Sequence, residues 1–183
     1  NDETLSSVAQ RLRENNLIRD ERFFRLTSSL LGITGVQKGK YRITETMTSI
    51  DILRRMGNGE ILKHKITFPE GFNLFQIAER LQENNVCDSG QFLYVAFDRE
   101  FIRSMNLDAS SIEGYLFPCT YVFPEDDEPK HVISVMFEKT AEIIHDLSPL
   151  PADIQVHTLL TLASLVEKEA KLPEERPLIS AVF

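Results

Sequence analysis

The sequence predicts an α+β chain, and three observations carry that prediction. Two amphipathic helical stretches recur at a fixed spacing, each followed by a turn and a second short helix. Short strand-like runs bounded by Gly or Pro-Gly turns flank them. An aromatic-rich segment then leads into two long helical stretches. The expected division is 1–64 for the first repeat, 65–110 for the second and 111–183 for the remainder.

The repeat comes first in the chain. "LSSVAQRLRENNL" from Leu5 and "LFQIAERLQENNV" from Leu74 share Leu5/Leu74, Ala9/Ala78, Arg11/Arg80, Leu12/Leu81, Glu14/Glu83, Asn15/Asn84 and Asn16/Asn85 at an offset of 69. Phe23 and Phe92 continue that register. Leu5, Val8 and Leu12 fall on one helical face, as do Leu74, Ile77 and Leu81. Thr4 and Asn73 are of the residue type that caps a helix start, and each Asn-Asn pair suits a left-handed helix end. Asp20 and Ser89 are the expected caps of the second short helices, and residues 4–31 and 73–97 are expected to superpose as helix–turn–helix units. "GKYRIT" after the first repeat and "HKITF" before the second read as strands, the latter running into the turn Pro69-Glu70-Gly71. Between the repeats, "TSIDILRRMGNGE" reads as a helix from about Thr48, ended by Gly57-Asn58-Gly59.

Composition narrows the function classes. The net charge of −8 argues against nucleic-acid binding by phosphate neutralisation. No run of eighteen apolar residues is long enough for a membrane helix. Asn1 stands where an initiator Met would, and no signal peptide is legible, so the expectation is an excised piece of a longer chain with any anchor upstream. Cys87 and Cys119 are too few for a disulfide framework and read as free, half-buried thiols. His64, His131, His145 and His157 are scattered and make no metal motif, and no Gly-rich phosphate loop exists.

"SSIEGYLFPCTYVFPE" packs Tyr115, Phe117, Tyr121 and Phe123 into nine residues, with a carboxylate at Glu113 and a hydroxyl at Thr120. This reads as a strand or hairpin broken at Pro118, serving either as core or as the wall of a sugar cleft. A helix from about His131 to Leu147 follows, with Ile133, Met136, Phe137, Thr140 and Ile144 on its core face. A last helix is expected from about Asp153 to Ala170, with Leu159, Leu162, Leu165 and Val166 as its stripe. Extending that stripe by three or four residues reaches Glu169, whereas Glu167 falls beyond Ala163 and Ser164 on a more polar face. A carboxyl on an apolar stripe is desolvated and favours its neutral form, which suits a general acid. The competing reading lets the stripe end early, with Glu169 in solvent.

"TLSSVAQRL" followed by "KGKYRIT" resembles the LysM module, a strand–helix–helix–strand unit that binds N-acetylglucosamine polymers. "FPEGFNLFQIAERL", "IEGYLFPCTYVF" and "TLASLVEKEAKLPEERPLISAVF", in that order, resemble the YceG-like family of endolytic murein transglycosylases, also called the MltG family. The resemblance implies non-hydrolytic cleavage of the MurNAc–GlcNAc β-1,4 bond in peptidoglycan. Its products would be 1,6-anhydroMurNAc ends. It assigns the acid/base role to the second Glu of the E-K-E run, here Glu169, and requires neither metal nor cofactor. Glu113, Tyr115, Phe117, Thr120, Tyr121 and Ser164 are the expected substrate contacts. The implied setting is a single-pass anchor in the inner membrane, upstream of Asn1, with the catalytic part outside it. Partners would be glycan strands and the wall-synthesis machinery.

Two positions depart from the family pattern: Ala170 stands where Thr is common and Cys119 where Asp is common. The family also continues with an Asn-Arg-Leu run, so the fragment is expected to hold the acid without a complete site. A non-catalytic glycan-binding module is the first alternative. The family has also carried the label aminodeoxychorismate lyase, a pyridoxal phosphate enzyme class. Lys168 flanks the acid, but no phosphate-cradling sequence accompanies it, so this reading ranks last.

Overall fold

The computed structural model describes residues 4–147 and 155–182. These fall into two compact units, residues 1–64 with 124–126 and residues 65–123 with 127–183. The segments 65–110 and 111–183 thus share one unit and one core.

The first unit is built from α1 (Leu5–Glu14), α2 (Glu21–Leu30) and α3 (Ser49–Gly57). Thr4 caps α1 by accepting from Ser7 N, and Asp20 caps α2 by accepting from Arg22 N and Phe23 N. Thr48 and Asp51 form a reciprocal capping box on α3, each side chain satisfying a backbone N–H that the helix leaves unpaired. Val8, Ala9, Leu12, Ile18, Phe24, Ile52, Leu53 and Met56 make the core. "GKYRIT" forms no strand ladder; its carbonyls accept singly, Lys40 O from Leu62 N at 2.8 Å, Arg42 O from the Arg55 guanidinium at 2.6 Å and Thr44 O from Met47 N at 3.0 Å. Among the described residues, no strand pair flanks α1 and α2, so the LysM-like arrangement is not reproduced. Residues 124–126 are tied to this unit by charge. Glu125 accepts from Lys40 at 2.9 Å and meets His64 at 3.2 Å. The Lys40 and His64 hydrogen bonds hold the Glu125 carboxyl below the usual carboxylate range.

The chain enters the second unit within β1 (Lys63–Thr67), followed by α4 (Leu74–Glu83), α5 (Ser89–Ala96) and α6 (Arg99–Ser104). β2 (Thr120–Pro124), α7 (Pro129–Asp146), α8 (Val156–Glu169), a 3-10 turn (Pro173–Glu175) and α9 (Arg176–Ser180) complete it. β1 pairs with β2. Phe68 N donates to Cys119 O at 2.9 Å, and Thr67 faces Thr120, which makes the pair antiparallel.

Of the strand or hairpin expected in "SSIEGYLFPCTYVFPE", the part after Pro118 forms the single strand β2. Residues before it turn at Gly114, whose φ of 79° suits glycine. α5 is capped by Asp88 rather than Ser89, through Gln91 N. Both cysteines are free. The Cys87 thiol is pushed up to about 12 by burial and by Asp127 and Asp88. Asp153, the expected start of the last helix, lies outside the described residues.

Candidate active site

The second unit contains a groove of ≈ 660 Å³ with α8 along one side. The turn Pro69–Asn73, the segment from Glu113 to Pro118, and Met136 and Thr140 of α7 line the rest. α8 contributes Leu160, Ala163, Ser164, Glu167 and Lys168. These are spaced i, i+3, i+4, i+7 and i+8, which is one face of a helix. Elsewhere on α8, Leu159 and Leu162 are half-buried and Val166 is buried, while Leu160 also packs against the core.

This arrangement settles which glutamate faces the groove. Glu167 is half-buried and lines it, and a Cβ added at Gly71 would stand 3.7 Å from Glu167 Oε1. Gly71 has a φ of +81°, a backbone shape that costs glycine little. Glu169 is the last residue of α8, is exposed, and does not line the groove. The expected apolar stripe fails at Leu165, which is 46% exposed. Val166 is the last buried residue of α8, and Glu169 beyond it is exposed. What the sequence reading took for the polar face of α8 is the groove face.

The other expected contacts divide. Glu113, Phe117 and Ser164 line the groove. Glu113 is partly committed there, since its Oε2 accepts from Leu74 N at 3.1 Å, at the start of α4. Ser164 donates to Thr161 O at 2.7 Å.

Tyr115 and Tyr121 belong to the core, at 3% and 8% exposure, so their rings present no face to a sugar. Tyr115 meets His157 Nδ1 at 2.7 Å and stacks on that ring, which ties the aromatic segment to the first turn of α8. Tyr115 O also accepts from the buried Thr140 hydroxyl at 2.6 Å. Tyr121 donates to Phe117 O at 2.8 Å, and burial pushes its hydroxyl up to about 12. Thr120 lies off the groove, with its hydroxyl 2.8 Å from that of Thr67. So the aromatic segment does pack beside the helix that carries both glutamates, but its tyrosines do so as structure.

Sequence reasoning missed the rest of the rim. Arg176 of α9 reaches Glu70 at 3.2 Å, and both line the groove. Helical spacing from Leu160 could have found Glu167 and Lys168. The Glu70–Arg176 pair, 106 residues apart, carried no local signal.

The model of the YceG-like family matches residues 1–183. The chain belongs to the YceG-like family. Among relatives, an endolytic murein transglycosylase of Bacillus subtilis (strain 168) is 28% identical over 198 residues, covering 98% of this chain and 55% of that protein. One from Streptococcus pneumoniae serotype 2 (strain D39 / NCTC 7466) is 28% identical over 210 residues, covering 98% of this chain and 38% of that protein. The crystal structure of a yceG-like protein from Listeria monocytogenes aligns with a TM-score of 0.53 at 26% identity, over 95% of this chain and 64% of that one. The chain therefore spans about half the length of the YceG-like relatives it matches, or less. The YceG-like assignment agrees with the mixed architecture of nine helices and a two-stranded sheet among the described residues.

Proposed function

We propose that this chain is part of an endolytic murein transglycosylase that cleaves the MurNAc–GlcNAc β-1,4 bond inside glycan strands. The observation that carries the reading is the YceG-like match along the whole chain, with relatives named for that activity. In the proposed reaction one carboxyl acts twice. It first protonates the bridging oxygen as the C1–O bond breaks. As a carboxylate it then takes the proton of the MurNAc C6 hydroxyl while that oxygen attacks C1. A 1,6-anhydro ring closes, the carboxyl is restored and no water is consumed. The second carboxylate of two-carboxylate glycosidases is not required. We assign this role to Glu169, whose exposed side chain is open to a substrate. Glu167, Glu113, Phe117 and Ser164 would hold the strand in the groove. The inner-membrane anchor upstream and contacts to the wall-synthesis machinery belong to the same proposal.

A second reading has support of its own. Glu169 stands outside the groove, which is what a glycan-binding module without chemistry would tolerate. The test compares Glu169→Gln and Glu167→Gln in the full-length protein, digesting purified peptidoglycan and assaying anhydro ends by mass spectrometry. Glu169→Gln is expected to lower the rate by roughly 10²–10⁴-fold, and Glu167→Gln to weaken binding while leaving turnover of bound strands. A dead Glu167 variant beside an active Glu169 variant would move the acid/base role to the groove carboxylate. No anhydro product from the unaltered protein would favour the binding module.

A further inference from the structure

With Tyr115 and Tyr121 in the core, the groove takes its aromatic surface from elsewhere. Phe72 and Phe117 both line it, and both are half-buried. Phe72 stands in the turn between β1 and α4, directly after Gly71. Its side chain packs against the core of the second unit, and Arg80 Cζ lies 4.8 Å from the centroid of its ring. Arg80 is itself fixed, since its Nη1 donates to Thr67 O of β1 at 2.9 Å. A planar cation tied to a strand backbone backs one side of an aromatic ring and sets its tilt. What burial leaves open of Phe72 lines the groove.

Comparison of the repeats separates this ring from the needs of folding. At the offset of 69, Phe72 corresponds to Glu3 and Arg80 to Arg11. The first repeat has the arginine without the ring, yet α1 buries Val8, Ala9 and Leu12 as α4 buries Ile77, Ala78 and Leu81. The aromatic is present only in the copy that borders the groove.

The ring also has a polar neighbour. A Cβ added at Gly71 would meet only Glu167 Oε1 within 4 Å, at 3.7 Å, so the backbone just before Phe72 faces open space toward that carboxylate. An ionised carboxylate only accepts hydrogen bonds. A 2-acetamido pyranose complements this pair: its C–H bonds form an apolar face, and its hydroxyls and acetamido N–H donate from the rim.

We propose that Phe72 is the platform on which one pyranose ring of the glycan stacks, and that Arg80 is the residue that positions it. This rests on the reading of the groove as the seat of a glycan strand. The sugar lays its C–H face on the Phe72 ring while a hydroxyl or the acetamido N–H donates to Glu167.

The test uses the full-length protein and peptide-free glycan strands, with binding measured by calorimetry and anhydro ends by mass spectrometry. Phe72→Leu keeps apolar bulk against the core but removes the ring, and should weaken binding roughly tenfold. Phe72→Trp keeps a ring and should bind within about threefold of the unaltered protein. Arg80→Gln should weaken binding less than Phe72→Leu does, and should add nothing on top of Phe72→Leu. Equal binding by the Phe72→Leu variant overturns the platform, as does a Phe72→Trp variant as weak as Phe72→Leu, or an unaltered protein that binds no strands. An Arg80→Gln loss that persists beside Phe72→Leu overturns the positioning role of Arg80. Phe72-dependent binding without anhydro ends keeps the platform and removes the transglycosylase activity. Anhydro ends with binding indifferent to Phe72 keep that activity and remove the platform.

Discussion

The two helix–turn–helix repeats differ in a way that their sequences conceal. Their first helices are near copies. Val8, Ala9 and Leu12 are buried in α1, and Ile77, Ala78 and Leu81 occupy the same places in α4. Both helices end alike. Asn16 and Asn85 take φ of 57° and 55°, and the next residue returns a bond to the helix, Leu17 N to Leu12 O and Val86 N to Leu81 O.

After this point the offset of 69 breaks. The cap of α2 is Asp20 and that of α5 is Asp88, so the second loop is one residue shorter. The buried aromatic partners are therefore Phe24 and Phe92, not Phe23 and Phe92. One residue removed from a loop rotates the following helix by about 100° relative to the sequence register. Identical spacing beyond a loop is thus no guarantee of equivalent packing.

The repeats also differ in what covers their second helix. α5 packs against α4 and α7 in the larger core, burying Phe92, Val95 and Ala96. α2 packs against α1 and α3 and leaves Phe23, Leu26 and Leu30 exposed.

The largest expected effect tests the break in register. Phe92→Ala and Phe24→Ala should each cost about 3–5 kcal/mol by urea unfolding, as truncations of fully buried aromatics do. Phe23→Ala should stay within about 0.5 kcal/mol. A Phe23 variant as damaged as Phe92→Ala would restore the single offset. Next in size are the helix ends. Asn16→Ala and Asn85→Ala should each destabilise by about 1–2 kcal/mol, because a Cβ without a local polar partner disfavours the left-handed shape. Asn→Gly at either site should be close to neutral. Unequal penalties would show that the shared end motif is supported differently in the two repeats.

The smallest effect concerns acid. The Asp20 carboxyl is held below its usual range, first by the Phe23 N–H, then by the Arg22 N–H, with Arg13 and Arg22 charges adding to it. The Thr48 hydroxyl and N–H do the same for Asp51. A depressed carboxylate stabilises the fold above its unfolded pKa near 4 and loses that contribution as pH falls through its folded value. The first unit should therefore loosen below about pH 4. Asp20→Asn, which caps without a charge, should flatten that part of a melting-temperature profile. An unchanged profile would remove Asp20 from the account.

Much of the local structure was legible in the sequence. Thr4, Asn73, Asp20 and Thr48 cap helices where residue type says they should, and α7 buries Ile133, Met136 and Thr140 on its expected face. These features were readable because a cap bond spans two or three residues and a helical face repeats every three or four. The groove was legible only in part. Glu113, Phe117 and Ser164 came from composition and motif, whereas Tyr115 and Tyr121, chosen on the same grounds, are core.

What the sequence determined by itself is therefore α1 to α5, α7 and α8, the matching α1 and α4 with their shared ends, and membership of the YceG-like family, but not α6 or α9. The tertiary structure alone decided that Glu167 lines the groove while Glu169 faces solvent. It also decided that Arg176 meets Glu70 and that Phe24, not Phe23, is the partner of Phe92. Periodicity fixes the angle between side chains on one helix, but not which angle is covered. On α8 that was set by the Pro69–Asn73 turn, Glu113–Pro118 and α7, which lie tens of residues away in the chain and leave no trace in the spacing of its own residues.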